Sequence, residues 1–519
     1  MTARPCLLRS CFKTVAALAR VRVNVEKTRV LANAATSKSG FETASILLNV
    51  VVLVLLSLAS PIYGEDLHEF FHADGPLTGT LKSDRSLPLY DADPQQLWNR
   101  MYSAFYIRPR PLPASGGQPA STRFEGGDVI EFLAWGKTEY WSRLDVFEKV
   151  NPLLDEFVQR SGETLLRDPL KRAVFQHDLW AVYDHLIDQN IKRTADRATR
   201  ARRDVLSGKL AKCIQRLALS ATEVAELPDT YALAIQSGAF ASHHEFVAER
   251  NYLPPGLLSQ PDIWVEVDFH QPNLHEDLSD RFVTLHTQSL QGRSYYRIFY
   301  RFPQGRQQVI DYLKSLNETG IDWKQAANDG FVRLRKDAPP IPVGTEVGLL
   351  QLMMTVNDQL QPVPTKIVES FQFRVFRNID GSSEPPTNTG VGINVLDYRL
   401  KRHLLFDRQR SGGLEREPEG MPQYRVAIDG LKGTAPDWGF ADKSVLFQQC
   451  VDCHMSRRND RLGVASIPSI IHSGGFDSGA QMGVVRPLTP TESGLTGQRV
   501  AKYKSRHESF RRMLEHLGE

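Results

Sequence analysis

The chain has 519 residues, 41% of them apolar, with a net charge of +3, which is room for about two to four domains of ordinary globular composition. The charge is uneven: residues 1–64 hold eight Lys or Arg against Glu26 and Glu42, so the remainder carries 55 basic against 58 acidic residues. A body this near neutrality excludes the basic nucleic-acid-binding class.

A basic stretch up to Lys38 precedes an apolar run, Ile46 to Ala59, followed by small residues and then Glu65-Asp66. The run is short for a membrane span and fits the apolar core of a signal peptide. Cleavage after Ala59 or after Gly64 is expected. Retention as an anchor is the alternative, because Ala44 to Tyr63 is long enough to cross a bilayer. In both cases the positive charge stays inside and the body is exported, so the expected location is periplasmic or otherwise extracytoplasmic.

The body opens with helical signals. Asp93-Pro94 reads as an N-cap with Pro in the first turn, and Leu97, Met101 and Phe105 recur at helical spacing. Amphipathic helices are predicted over 144–158 and 170–187, the second with a stripe of Phe175, Leu179, Val182 and Leu186. The basic segment Lys192 to Arg203 reads as a solvated face ahead of a further helix to Leu219. Near residue 260 the period changes from helix to strand: Ile263, Val265, Val267 and Phe269 alternate, as do Tyr296, Ile298, Tyr300 and Phe302. A helix over 306–316 interrupts, and strands resume at 331–334, 347–356 and 371–375. Asp380 to Pro386 reads as a linker.

The residues with the most specific chemistry lie further on, in Cys450-Val451-Asp452-Cys453-His454. Cys-x-x-Cys-His is the attachment signature of a c-type haem. One helical turn puts both thiols on one face, where they can add to the porphyrin vinyl groups, and the next residue offers an imidazole to the iron. A cytosolic thioredoxin-like pair would conflict with the leader, and zinc would want a second Cys/His pair that the sequence lacks. Beyond the leader only Cys213, Cys450 and Cys453 remain. Cys213 lies among Leu210 and Leu217 at helical spacing and reads as a buried thiol.

The C-terminal part resembles the cytochrome c family. A short helix over 441–449 with Phe447 three residues before Cys450, and a last helix over 496–517 with Val500, Tyr503, Phe510, Leu514 and Leu517 on one side, would be the crossed first and last helices of that family. The usual Gly-Pro-x-Leu element between them is missing. The resemblance implies that Cys450 and Cys453 hold one covalent haem c, that His454 is an axial iron ligand, and that Met482, in the Gly-rich stretch 474–483, is a candidate for the sixth position. His472 is the alternative, and an open sixth position is a third. His507 reads as a core histidine, and His243, His244, His270, His275, Glu276 and Asp277 as scattered surface groups.

The expected fold is therefore multidomain. A basic leader (1–64) precedes a mostly helical module (85–255), an α+β or β-rich module (256–400) and an all-α cytochrome c-like haem domain (425–519). The expected function is one-electron transfer to redox partner proteins by an exported mono-haem cytochrome. The alternatives are a periplasmic haem-dependent oxidoreductase with substrate bound by the upstream modules, and a haem-based ligand sensor or binding protein.

Overall fold

In the helical half, apolar spacing closes three of the four long helices on a common core. Helix α1 (Leu97–Tyr106) starts at Gln96, whose side chain accepts from the Trp98 N–H at 2.5 Å. Asp93 and Pro94 thus sit in the preceding turn, three residues earlier than a helix start. Leu97, Met101 and Phe105 are all buried. Helix α2 (Leu144–Gln159) buries Val146, Val150, Leu153, Leu154 and Phe157, and α4 (Arg197–Arg216) buries Leu206, Leu210 and Cys213. Helix α3 (Pro169–Ile191) behaves differently, for every residue from Ala173 to Ile187 is buried. It is a central helix enclosed on all sides, and the predicted one-sided stripe is only part of its apolar surface. Short helices α5 (Ala221–Ala225) and α6 (Thr230–Gln236) follow.

The computed structural model describes residues 71–72, 80–81, 85–112, 121–125, 141, 143–191, 196–241, 251–270, 293–320, 335, 341–376, 393–407, 411–416, 426–429, 443–446 and 484–519. Ahead of the main sheet, β1 (Phe71–His72), β2 (Thr80–Leu81), β3 (Arg108–Leu112) and β4 (Ser121–Glu125) form a small four-stranded sheet. The main sheet has seven strands. Six of them, β5 (Val265–His270), β6 (Ser294–Arg301), β7 (Glu346–Val356), β8 (Pro362–Phe376), β9 (Ile393–Leu400) and β10 (Leu414–Arg416), form an antiparallel meander in which each strand pairs with the next. Helix α7 (Arg306–Ser315) leaves after β6, as the spacing predicts, and α8 (Arg402–Phe406) lies between β9 and β10. The strand expected over 331–334 lies outside the described residues.

One face of this sheet carries Leu350, Phe371, Phe373, Leu396, Tyr398 and Leu400 into the core shared with the helices. The same core runs from Leu87 to Met513, so the boundary expected near 255 does not coincide with a break in packing. Residues 65–519 cluster as one compact unit.

The C-terminal segment departs furthest from expectation. Where a helix over 441–449 is predicted, β12 (Lys443–Leu446) pairs antiparallel with β11 (Val426–Asp429). Lys443-Ser444-Val445-Leu446 has no period that separates a ladder from a helical turn, and the partner strand decides it. Strand β13 (Val484–Pro487) then takes the free edge of the main sheet beside β5. The predicted last helix is two, α10 (Thr496–Lys504) and α11 (Glu508–Leu517), preceded by the short α9 (Pro490–Gly494). The break falls at His507, which is the N-cap of α11, accepting from the Ser509 N–H at 3.3 Å, and not a core histidine on its apolar face. Phe510 packs against Trp180 of α3, with ring centroids 5.8 Å apart. These helices therefore cover the body, where the cytochrome c resemblance would place their apolar side across a haem-domain helix.

Glu266 of β5 pins this segment down. Its buried carboxylate accepts from Arg297 at 3.1 and 2.7 Å, from the Thr496 hydroxyl at 2.8 Å and from the Ser493 hydroxyl. A backbone requirement sits at Gly412, between α8 and β10, with φ of +61°, where an added Cβ would lie 2.3 Å from the Thr230 carbonyl oxygen. Gly412→Ala should lower stability by about 2–3 kcal/mol, read from the urea midpoint.

Candidate functional site

Cys450, Cys453, His454 and Met482 lie outside the described residues, as do His472, His243, His244, His275, Glu276 and Asp277. The described elements that flank Cys450, Cys453, His454, His472 and Met482 in sequence are β12, which ends at Leu446, and β13, which begins at Val484. Cys213 is fully buried as a free thiol, and burial pushes its pKa well up, which makes it a poor nucleophile. Among the described residues no three His, Cys, Asp or Glu converge as a metal site, and no helix is long and apolar enough to cross a membrane. The apolar run 46–59 is not among them.

The structure assembles a different constellation on α3, where Gln176, His177 and Asp178 are consecutive and buried. Successive helical residues point about 100° apart, so three in a row need partners over more than half the circumference. Gln176 turns to α4 and β7. Its Nε2 donates to the Ile214 and Val356 carbonyls at 3.0 and 2.9 Å, and its Oε1 accepts from the Val356 N–H at 2.8 Å and from the Thr355 hydroxyl. That uses the full capacity of the amide.

His177 turns to the sheet, with Nε2 3.0 Å from Glu369 Oε1. The register across β7 and β8 shifts at Gln351–Leu352, so that Ser370 and Val368 are paired and Glu369 is the extra residue of a bulge. The bulge is what lets a carboxylate in the middle of a sheet aim at the helix. Glu369 also accepts from the Ser294 hydroxyl at 3.0 Å and from the Gln351 amide. Serine, carboxylate and imidazole are thus together, but in the wrong order for nucleophilic catalysis. A relay needs the imidazole between the hydroxyl and the acid, whereas here the carboxylate lies between them and holds the serine proton. The arrangement braces α3 against three strands.

Asp178 turns to α8. Arg402 donates to its two carboxylate oxygens at 3.1 and 2.5 Å, and the Tyr90 hydroxyl donates to the same carboxylate. Tyr106 donates to the Asp178 carbonyl at 2.8 Å. The guanidinium lies over the Tyr102 and Tyr106 rings, 4.8 and 5.5 Å from their centroids. Burial alone would lower the pKa of Arg402; the Asp178 charge, the Tyr102 and Tyr90 phenols and the hydrogen bond to Asp178 together outweigh it and hold the arginine cationic. Burial, then the Asp178 charge, pushes the Tyr90 phenol up, so it stays protonated. Nearly two turns further along α3, Asp184 faces Arg293 at 3.9 Å.

None of these residues was marked by the sequence reading. A usable signal was present: Val174, Phe175, Leu179, Trp180, Val182, Tyr183 and Leu186 place apolar groups on every side of α3, which makes its polar residues buried and therefore paired. In the same way Arg203, read as part of a solvated basic face, is fully buried in α4.

A second polar group lies on the opposite face of the sheet. Register puts Tyr300, Val347 and Arg374 in one row across β6, β7 and β8, and sets Asp397 of β9 opposite Gln372. Burial pushes the Asp397 carboxyl up to about 6, against the pull of Arg374, Arg399 and Arg416. Between the ordinary carboxylate value and about 6 the folded chain keeps a proton that the unfolded chain releases, so stability falls as pH rises through that window. Asp397→Asn should remove this slope and, relative to the parent chain, gain up to about 3 kcal/mol on going from pH 4 to pH 7. Urea midpoints at the two pH values check it; an equal difference at both would contradict the assignment.

No family model, curated protein or solved structure matches the chain.

Proposed function

We propose that this chain is an exported mono-haem c-type cytochrome that passes single electrons between redox partner proteins. The observation that carries the reading is Cys450-x-x-Cys453-His454. The donor set fits the group: two thiols for the porphyrin vinyl carbons, one imidazole for the iron, and a thioether at Met482 for the sixth position. Bound there, the haem would supply a one-electron couple.

Two further features support the reading. The leader would take the chain to the compartment where such attachment is made. Cys213 is buried, with a thiol that burial keeps protonated, so it does not compete with the motif pair for a prosthetic group. The two helices that suggested a complete cytochrome c fold do not add to the case, since one is a strand and the other covers the body. The role proposed for that body is to carry the haem segment, residues 447–483, between β12 and the sheet-edge strand β13.

An absorption spectrum of the dithionite-reduced, haem-loaded chain with and without carbon monoxide tests the carrier role. A low-spin spectrum unchanged by carbon monoxide is expected. Rapid carbon monoxide binding would sink the carrier reading and favour a ligand sensor or an oxidoreductase with an open sixth position.

A further inference from the structure

On the sheet face opposite the helical core, three strands bring together buried polar atoms without partners. The Tyr300 hydroxyl, Arg374 Nε and Asp397 Oδ1 are all enclosed and make no hydrogen bond. Tyr300 is 0% exposed and Arg374 7%. They are not scattered: Tyr300 and Arg374 are two strands apart in one row, and Asp397 is diagonal to Arg374 on the neighbouring strand. Strand spacing puts the Tyr300 and Arg374 backbones roughly 10 Å apart, with Val347 between them in the same row, and a phenol and a guanidinium are long enough to meet over it on one small ligand. Arg399 follows Asp397 on the same face.

A buried guanidinium N–H without an acceptor is costly unless something supplies one. The row offers two donors, a guanidinium N–H and a phenolic O–H, in a surrounding where arginines outnumber the single aspartate. The missing partner is therefore an anionic acceptor. Asp397 narrows the class. A phosphate dianion would be repelled by its carboxylate, whereas a carboxylate can share a proton with it as an acid–carboxylate pair. We propose that this face of the sheet is a carboxylate-binding site in which Arg374 and Tyr300 receive the ligand and Asp397 selects against phosphate. The carboxylate has two sources, a free organic acid or the propionate side chains of a porphyrin held at Cys450 and Cys453. Only the second rests on the haem reading.

Calorimetric titration of the full chain with succinate, and separately with inorganic phosphate, tests the site in two forms: haem-loaded, and Cys450→Ser/Cys453→Ser. Saturable succinate binding with no phosphate binding is expected in at least the second form. Arg374→Met should weaken succinate at least tenfold. Tyr300→Phe should weaken it several-fold and, because it removes a hydroxyl with no partner in the protein, keeps the fold if Arg374→Met does not. Binding to both forms assigns the site to a free acid. Binding to the Ser form alone, with a shifted reduction potential in haem-loaded Arg374→Met, assigns it to the porphyrin. Absence of saturable succinate binding in either form, or affinity unchanged in both variants, overturns the proposal. Peptide masses report haem attachment separately, so failure of the haem reading is distinguishable from failure of the site.

Discussion

Arg402→Met is expected to destabilise the chain by about 3–5 kcal/mol, because it strands the Asp178 carboxylate in the core. Arg402 is 0% exposed and Asp178 1%, and the guanidinium makes two of the hydrogen bonds to that carboxylate. Tyr90 still donates to it, but one phenol does not neutralise a buried charge. Asp178→Asn in the same background should recover much of the loss, since it removes the stranded charge and keeps a hydrogen-bonding group of nearly the same shape. Tyr90→Phe alone should cost about 1–2 kcal/mol, the loss of one charge-assisted bond. Urea unfolding midpoints of the three variants and the parent measure these differences. A cost under about 1 kcal/mol for Arg402→Met would mean that the pair is dispensable to the fold.

The second large effect concerns the motif. Replacing Cys450 and Cys453 with Ser should abolish covalent porphyrin altogether, while Cys213→Ser leaves attachment intact. The asymmetry follows from environment. Cys213 is enclosed in the last turn of α4, with a thiol that burial keeps protonated, whereas the motif pair is spaced for one prosthetic group. The absorption of the haem-loaded chain in alkaline pyridine reads the outcome. Equal haem content in the Cys450→Ser/Cys453→Ser chain and the parent would remove the motif from the account.

The helices and the meander strands were largely legible because their apolar periods are set locally. Leu97, Met101 and Phe105 mark α1, and the alternation around Tyr296–Tyr300 marks β6. What escaped was set by distant partners. Glu369 became a core residue only through the bulge against Gln351, and β13 is a strand only because β5, more than two hundred positions earlier, leaves an edge open. The helix expected before Cys450 was lost for the same reason, as β11 recruits Lys443–Leu446. Of the apolar stripe expected on the last helix, Val500 and Phe510 are buried and Tyr503, Leu514 and Leu517 only partly so, and the stripe did not say against what: Phe510 meets Trp180 of α3. On the candidate site, Cys450, Cys453 and His454 were legible as a motif, whereas the braces of α3 and the polar face of the sheet were invisible because each joins residues far apart in the chain.

The claim on which the functional reading depends is covalent attachment, and peptide mass spectrometry of the natively secreted chain tests it most directly. The reading predicts that the peptide spanning Cys450 and Cys453 carries the mass of one porphyrin and resists alkylation at both sulfurs. Two freely alkylated thiols with no added mass would contradict it.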